Sequence, residues 1–590
     1  MPTLQAPRPA GLLPLLRGRV RPYAGPTALL TACQLVQALG MLYLPTLNAD
    51  IVDRGIAAGD TGHILDRGAL MLAATLVQAA FAACAVYLGA KVSMGIGRDL
   101  RAALFERVQG FSAREMDLFG APSLITRTTN DVQQIQNLVF IALTLMLTAP
   151  IIGAGGIVLA LRQDVPLSGV LLAAIPALVA AVGLIIARMV APSRLMQDRI
   201  DEVNRVLREQ ITGIRVIRAF VRDAHEHRRF AAANTDLMEV ALRLGRMQAY
   251  FGATVTLIAG LASVAVVALG GPRIIGGEMQ TGALLAFLAY LGQILMAVMM
   301  AMTVFVLLPR AKVSAGRITE VLDTEPTLTA PAAPAAAPPR APRPGRLDVR
   351  GVSFGYPGAE EPVLRGVDLI ARPGQTTAVV GATGSGKTTL VKLIARLLEA
   401  DTGTIALDGA DVRGLDRRTL ASAVALVPQR AHLFSGTIAS NLRYGDPGAT
   451  DAQLWRALET ARARAFVEAL PEGLDTPVGQ GGSTVSGGQR QRLAIARALL
   501  ARPGIYLFDD AFSALDTATD AAVRAALDAE IGGAARVVVA QRVSTVRTAD
   551  RIAVLEAGRI EAVGTHEELL AASPVYAEIV DSQNTTEEER

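Results

Sequence analysis

Cysteine is nearly missing from this chain of 590 residues: Cys33 and Cys84 are the only two. Both stand inside apolar runs, where a cysteine serves as a small buried hydrophobe more often than as a ligand or redox centre. Neither a disulfide framework nor a metal site built on cysteine is expected. Lysine is almost as scarce, at Lys91, Lys312, Lys387 and Lys392 only, so positive charge is carried by arginine. Aromatic residues make up 4% and the formal net charge is +4, with no single basic block. Nucleic acid is therefore not expected as a partner.

What the chain has in quantity is aliphatic surface, with 51% hydrophobic residues and a mean hydropathy of +0.38. A membrane-embedded part follows. Candidate spans lie near 26–47, 68–90, 136–160, 166–188, 250–271 and 283–308, each long enough to cross about 30 Å of hydrocarbon as helix. Arginine is concentrated between Arg188 and Arg246, and the short intervals near 54–67, 162–165 and 272–281 carry few cations. The positive-inside bias then places the intervals at 91–135 and 189–249, and both termini, in the cytoplasm. In "RIDEVNRVLREQITGIRVIRAF" Ile200, Val203, Val206, Leu207, Ile211 and Ile214 recur at helical spacing, so these intervals read as spans continued beyond the membrane.

Residues 1–25 read as an amphipathic segment at the membrane surface, and 26–311 as the six-helix membrane domain. The stretch 312–345 contains "TAPAAPAAAPPRAPRPG" and reads as a proline-rich linker. From 346 to 582, short β-branched runs alternate with helical segments, which predicts an α/β domain. Residues 583–590 are expected to be disordered.

The strand-like "TTAVV" runs into "GATGSGKTT" and then a helical segment, the context a phosphate-binding loop requires. Gly381, Gly384 and Gly386 let the backbone of Gly381 to Thr389 wrap phosphates, with Ala382, Thr383 and Ser385 supplying further amides. Lys387 reaches the outer phosphates, Thr388 can ligate Mg²⁺, and Thr389 continues the helix start. A lysine at this one position, in a chain that writes nearly every cation as arginine, matches the need for a compact point charge. "IYLFDD" reads as a buried strand ending in Asp509, an acceptor for the Mg²⁺ shell. In "STVSGGQ", Ser486, Gly487, Gly488 and Gln489 open another helix, a second phosphate-binding surface.

Together these motifs resemble the ATP-binding cassette (ABC) transporter family in its exporter-type, type IV form. "GATGSGKT" is similar to its Walker A motif, "YLFD" to Walker B, "VSGGQ" to the signature and "SALD", ending in Asp516, to the D-loop. Gln429 in "VPQRAHLFSGTI" matches the Q-loop, which also reaches Mg²⁺, and Tyr356 in "VSFGYPG" matches the aromatic that stacks on adenine. "FGAPSLITRTTNDV" resembles the first cytoplasmic loop of these exporters. The resemblance implies ATP and Mg²⁺ as cofactors, a six-helix transmembrane domain followed by a P-loop ATPase domain, and head-to-tail pairing. Each ATP would then lie between Walker A of one chain and the signature of another.

Two positions depart from the family pattern. Where the family has a catalytic glutamate after Walker B, this chain has Asp510, shorter by one methylene, about 1.5 Å of reach. Where the family has a switch histidine, it has Gln541, which can donate a hydrogen bond but cannot become cationic. Binding groups are kept and catalytic groups changed, a pattern resembling the degenerate-site subunit of a heterodimeric exporter. Its expected partner is a second half-transporter with the catalytic Glu and switch His. The alternatives are a slow homodimeric exporter and a nucleotide-binding regulatory subunit without pumping of its own.

The spans hold polar or aromatic interruptions, and the sixth carries Tyr290, Gln293, Met296, Met299 and Met300 at helical spacing. Flexible thioethers suit an adaptable site, so amphipathic or lipid-like compounds are the expected substrates and membrane lipids the expected surroundings. A composition rich in Ala, Arg and Gly and poor in Lys is what GC-rich codons produce, and a bacterial plasma membrane is the expected location.

Overall fold

The computed structural model describes residues 11–328 and 345–588. The chain divides into two compact units, Met1–Val108 with Pro122–Thr324, and Gln109–Ala121 with Glu325–Arg590.

The first unit opens with a short helix, Leu12–Val20, in the segment expected to lie at the membrane surface. Among the described residues, six helical stretches are long and apolar enough to span a membrane, in Leu12–Ile56, Thr61–Gly110, Ala121–Gln163, Gly169–Thr212, Asp223–Ile275 and Thr281–Asp323. The second and fifth hold 50 and 53 residues, roughly 75 to 80 Å at 1.5 Å per residue. That far exceeds the hydrocarbon thickness of about 30 Å. Leu178, Val182, Val266, Phe287, Tyr290 and Ile294 form a packed interior. Leu72, Leu76, Tyr87, Leu257, Leu261 and Val264 remain exposed, as a face turned to lipid requires.

The sixth helix runs on to Asp323, past the end expected at 311. Pro309 sits inside it, but beyond that residue Ala311, Ala315, Ile318 and Val321 return to one buried face. Ser314 also donates to Asp131 Oδ1 at 2.7 Å, and Arg127 pairs with Glu320. These contacts carry the helix through a residue that ordinarily ends one. The densest proline run, 329–344, lies outside the described residues.

Among the described residues the second unit contains two main sheets and a small antiparallel pair, β7 (Gly436–Thr437) with β8 (Pro477–Val478). One is antiparallel, in the order β2 (Leu364–Ala371), β1 (Leu347–Phe354), β4 (Thr402–Leu407), β5 (Ala410–Asp411). The other has six strands in the order β12 (Arg559–Gly564), β11 (Arg551–Glu556), β3 (Thr376–Val380), β10 (Ala535–Val539), β9 (Ile505–Asp509), β6 (Val424–Val427). From β11 to β6 every neighbouring pair is parallel. Strands β9 and β10 are buried at every residue, which is why Ile505–Phe508 and Val537–Val539 read as continuous apolar runs rather than alternating ones.

Register fixes where function can sit. Val539 pairs with both Val379 and Asp509, and Val427 with Phe508. The C-terminal ends of β3, β10, β9 and β6 therefore lie side by side, and the loops after them share one edge of the sheet. Ligand sites of parallel sheets form at that edge.

The helix Ala113–Phe119 belongs to this unit although the sequence places it between two spans. Ser112 caps it, and Glu115 returns to the Ser112 amide at 2.7 Å. The other Glu115 oxygen accepts from the Thr327 hydroxyl at 2.6 Å and its amide at 3.3 Å. At the other end of the unit, the helix Pro574–Glu588 includes residues expected to be disordered from 583. Tyr576 and Val580, four residues apart, bury one face of it and hold it on the domain.

Candidate functional site

The loop after β3 is shaped by glycine. Gly386 has φ 105° and a Cβ there would come within 2.7 Å of Leu364 Cδ2. Gly381 has φ 155°, and its Cβ would drive into the carbonyl of Leu555. No larger residue fits these turns. Ala382, Thr383 and Gly384 are exposed at the crest, while Ser385, Lys387 and Thr389 are buried beneath it. The helix Lys387–Ile394 begins here, so its first amides face the same space.

Lys387 is folded back into this cradle. Its ammonium donates to the Gly381 carbonyl at 2.8 Å, the Ala382 carbonyl at 2.7 Å and Ser385 Oγ at 3.4 Å. Burial pushes its pKa down, against the pull of Asp510 and Asp509. An entering phosphate would take over contacts that the loop now supplies to its own lysine.

Asp509, at the end of β9, is buried, and Thr388 Oγ1 donates to its Oδ1 at 3.0 Å. Burial pushes the Asp509 carboxyl up, the Thr388 hydroxyl opposes that shift, and Asp510 adds to it. A hydroxyl and a buried carboxylate in contact, with the Gln429 amide nearby through Asp510, make a hard oxygen donor set of the kind Mg²⁺ prefers. The residues fit that ion, and Thr388 and Asp509 are the ones that would hold it.

Asp510 has its backbone in the left-handed region, φ 49°, with its amide donating to the Val539 carbonyl at 2.9 Å. Its carboxylate Oδ2 accepts from Gln429 Nε2 at 3.1 Å. The sequence had suggested Gln429 as a metal group, and in the structure its amide is engaged with the carboxylate at the catalytic position. Gln541, after β10, is exposed, and among the described residues its side chain makes no hydrogen bond. The loops after β3, β9 and β6 thus bring Lys387, Thr388, Asp509, Asp510 and Gln429 together, Thr388 bonding Asp509, Gln429 bonding Asp510 and Lys387 within electrostatic reach of both carboxylates. Tyr356 is half-buried, edge-on to Phe354 with ring centres 5.0 Å apart, and its hydroxyl lies 3.3 Å from Thr389 Oγ1. That tethers the aromatic to the start of the phosphate-binding helix.

The signature residues stand apart from this network. Ser486 accepts from the Gln489 amide and Gln489 Oε1 from the Ser486 amide, a capping box opening Gly487–Ala501. Ser486 and Gly487 are exposed. Among the described residues no hydrogen bond joins 486–489 to the loop 381–389. Asp516 caps the helix Thr517–Ile531 by accepting from the Thr519 amide at 2.9 Å, and that hydrogen bond holds its carboxyl low.

In the membrane unit, Tyr290 is fully buried, with its hydroxyl 2.6 Å from Thr46 Oγ1 and donating to the Leu42 carbonyl. Gln293 donates to the Met41 carbonyl. Both fasten the sixth span to the first. Met299 and Met300 pack against interior clusters, and Met296 is exposed. Sequence reasoning did not find Thr46, Gln583 or the Glu115–Thr327 pair, because each works through a partner distant in the chain.

Residues 27–298 match the family model described as the ABC transporter transmembrane region, and residues 364–513 the model described as ABC transporter. The chain is 50% identical over 576 residues to an uncharacterized ABC transporter ATP-binding protein of Mycobacterium tuberculosis, covering 97% of this chain and 98% of the relative. It is 35% identical over 494 residues to the ATP-dependent lipid A-core flippase of Pseudomonas putida, covering 84% and 81%. A multidrug efflux ATP-binding/permease protein of Mycobacterium bovis is 35% identical over 548 residues, 91% of this chain and 44% of that longer relative. Among solved structures, a bacterial Atm1-family ABC exporter with ATP bound superposes with a TM-score of 0.78 at 25% identity, over 96% of this chain and 99% of that one.

Proposed function

The chain belongs to the ABC transporter family, with a transmembrane region followed by an ABC ATPase domain, and from that premise we propose that it is the ATP-holding half of an unequal pair. The pair would move amphipathic or lipid-like compounds across a bacterial plasma membrane, with both termini in the cytoplasm. The names borne by two relatives, a lipid A-core flippase and a multidrug efflux protein, agree with that substrate class. So does a sixth span carrying the exposed thioether of Met296 and, behind it, Met299 and Met300.

The observation that carries the reading is the state of Asp510. In hydrolysis a water attacks the γ-phosphorus, its proton passes to a base, and the bond to ADP breaks. By its match to the catalytic position Asp510 would be that base, yet it is one methylene short and its Oδ2 is engaged by Gln429 at 3.1 Å. Misplacement by about 1 Å costs on the order of a hundredfold in rate. Gln541 cannot take up a proton in place of the usual histidine. Lys387, Thr388 and Asp509 are kept at the positions the binding motifs require, which supports retained ATP binding. Mg²⁺, held by Thr388 and Asp509, would supply charge neutralisation at the phosphates.

A partner is supported by surfaces this chain leaves bare. Ser486 and Gly487 face solvent, as a phosphate surface offered to another chain's nucleotide would. At the end of the fourth span Ile211, Val216, Phe220 and Val221 are 73%, 61%, 73% and 80% exposed, an apolar tip that water alone would not favour. A partner with a catalytic glutamate and a switch histidine would hydrolyse at the site completed by this chain's signature. ATPase assays of the chain alone and with its encoded neighbour test this. Activity that appears only on pairing, and is abolished by changing the neighbour's glutamate to Gln, supports it. Fast turnover by the chain alone would instead assign it to a homodimeric exporter, and no turnover in either state to a regulatory subunit.

A further inference from the structure

The loop after β10 is held by a residue that no family motif includes. Beyond Val539 the chain passes through Gln541 into the four-residue helix Val543–Val546, whose preceding Arg542 provides no side-chain cap. Its first amide therefore needs an outside acceptor. Gln583, on the C-terminal helix, meets that need: its Oε1 accepts from the Val543 amide at 2.8 Å. The same side chain's Nε2 donates to the Gln541 carbonyl at 2.7 Å. The two partners are one acceptor and one donor, so only one orientation of the amide satisfies both.

One primary amide thus bridges the carbonyl of residue 541 and the amide of residue 543, as a neighbouring peptide group would in a sheet. The helix that carries it is not loose. Tyr576 is fully buried and its hydroxyl lies 2.8 Å from His566 Nδ1. Val580 shares a buried cluster with Val543 and Val546. The loop bearing Gln541 is therefore clasped from behind by the last helix, at a point forty residues away in sequence.

We infer that Gln583 is a positioning residue for ATP hydrolysis, fixing the loop that presents residue 541 to the terminal phosphate, and that the C-terminal helix thereby sets the turnover rate of this domain. Gln583 does not touch nucleotide in this role, so it acts on the chemical step rather than on binding. The inference rests on ATP hydrolysis by the ABC domain and not on unequal pairing.

The test uses the full chain in lipid nanodiscs, both as wild type and with Asp510→Glu, so that a measurable rate is available whichever way the unequal-pair reading falls. Gln583→Ala removes both hydrogen bonds. It is expected to lower kcat about tenfold, the loss expected of two ordinary hydrogen bonds, with the affinity for a fluorescent ATP analogue unchanged. Hydrogen exchange in a peptide spanning 541–546 is expected to quicken by a similar factor. Gln583→Glu keeps an acceptor for Val543 and loses the donor to Gln541, so it should fall between. Glu578→Gln, exposed on the same helix, is the control and should leave both readouts unchanged. Unaltered kcat and exchange in Gln583→Ala would overturn the inference. So would equal losses in kcat, nucleotide affinity and melting temperature, which would mean the clasp only supports the fold. Fast hydrolysis by the wild-type chain would count against the unequal pair alone, leaving the ratio of variant to parent as the measure of the clasp.

Discussion

At the scale of single residues, the proposed site sets Lys387, Thr388 and Asp509 beside Asp510, the residue proposed as a weakened base. Lys387, Thr388 and Asp509 owe their positions to glycine turns and to the end of a buried strand, and all were legible in the sequence. The P-loop needs glycine where φ is positive, and Asp509 follows four apolar residues. The Gln429–Asp510 hydrogen bond was not legible, since it joins loops 81 residues apart that only the register of β6 on β9 brings together. Asp510→Glu, restoring about 1.5 Å of reach, is expected to raise the chain's own ATPase rate at least about tenfold. Malachite-green or coupled-enzyme assays would read that change. Lys387→Ala removes the one ammonium in the cradle and is expected to weaken ATP binding at least about tenfold, the worth of one charge-assisted contact, measured by titration with a fluorescent nucleotide.

At the scale of elements, short polar latches place segments that local sequence assigns elsewhere. The helix Ala113–Phe119 follows a span and reads as part of a membrane loop, yet Glu115 ties it to Thr327 across 212 residues. Burial alone would raise the Glu115 pKa, but hydrogen bonds from Thr327 and Ser112 outweigh it and hold the carboxyl low. A carboxyl with a lowered folded pKa stabilises fully above the ordinary Glu range and loses that contribution as the pH falls through the lower folded value. Glu115→Ala is expected to cost about 1–3 kcal/mol by leaving the Ser112 and Thr327 donors without their acceptor. Thermal unfolding at neutral pH would show a lower midpoint than wild type, with the gap closing in strongly acid solution. The sixth helix makes a related point. The membrane domain was expected to end at 311, and the returning buried face at Ala311, Ala315 and Ile318 is why the helix persists past Pro309 to Asp323.

At the scale of the whole molecule, six spans and an ATPase domain were legible from hydropathy, arginine bias and motif order. The packing of the spans was not, because an apolar helix looks alike on its lipid and protein faces. Tyr290 shows the difference: its sequence setting fits a substrate site equally well, while its hydroxyl is spent on Thr46 and Leu42. The exposed apolar tip at Phe220 and Val221 belongs to this scale, since the proposed pairing assigns its cover to a partner. Phe220→Ser is expected to leave the melting temperature of the isolated chain unchanged while lowering the ATPase rate of the assembled pair severalfold, read by comparing both preparations. Holding ATP without cleaving it is the central property proposed for this chain's own site. Incubating the purified chain with Mg-ATP, removing free nucleotide and separating bound ATP from ADP over time measures it directly. Bound nucleotide is expected to remain ATP for many minutes in the wild type and to become ADP rapidly in Asp510→Glu. Equally rapid conversion in both would contradict a weakened site.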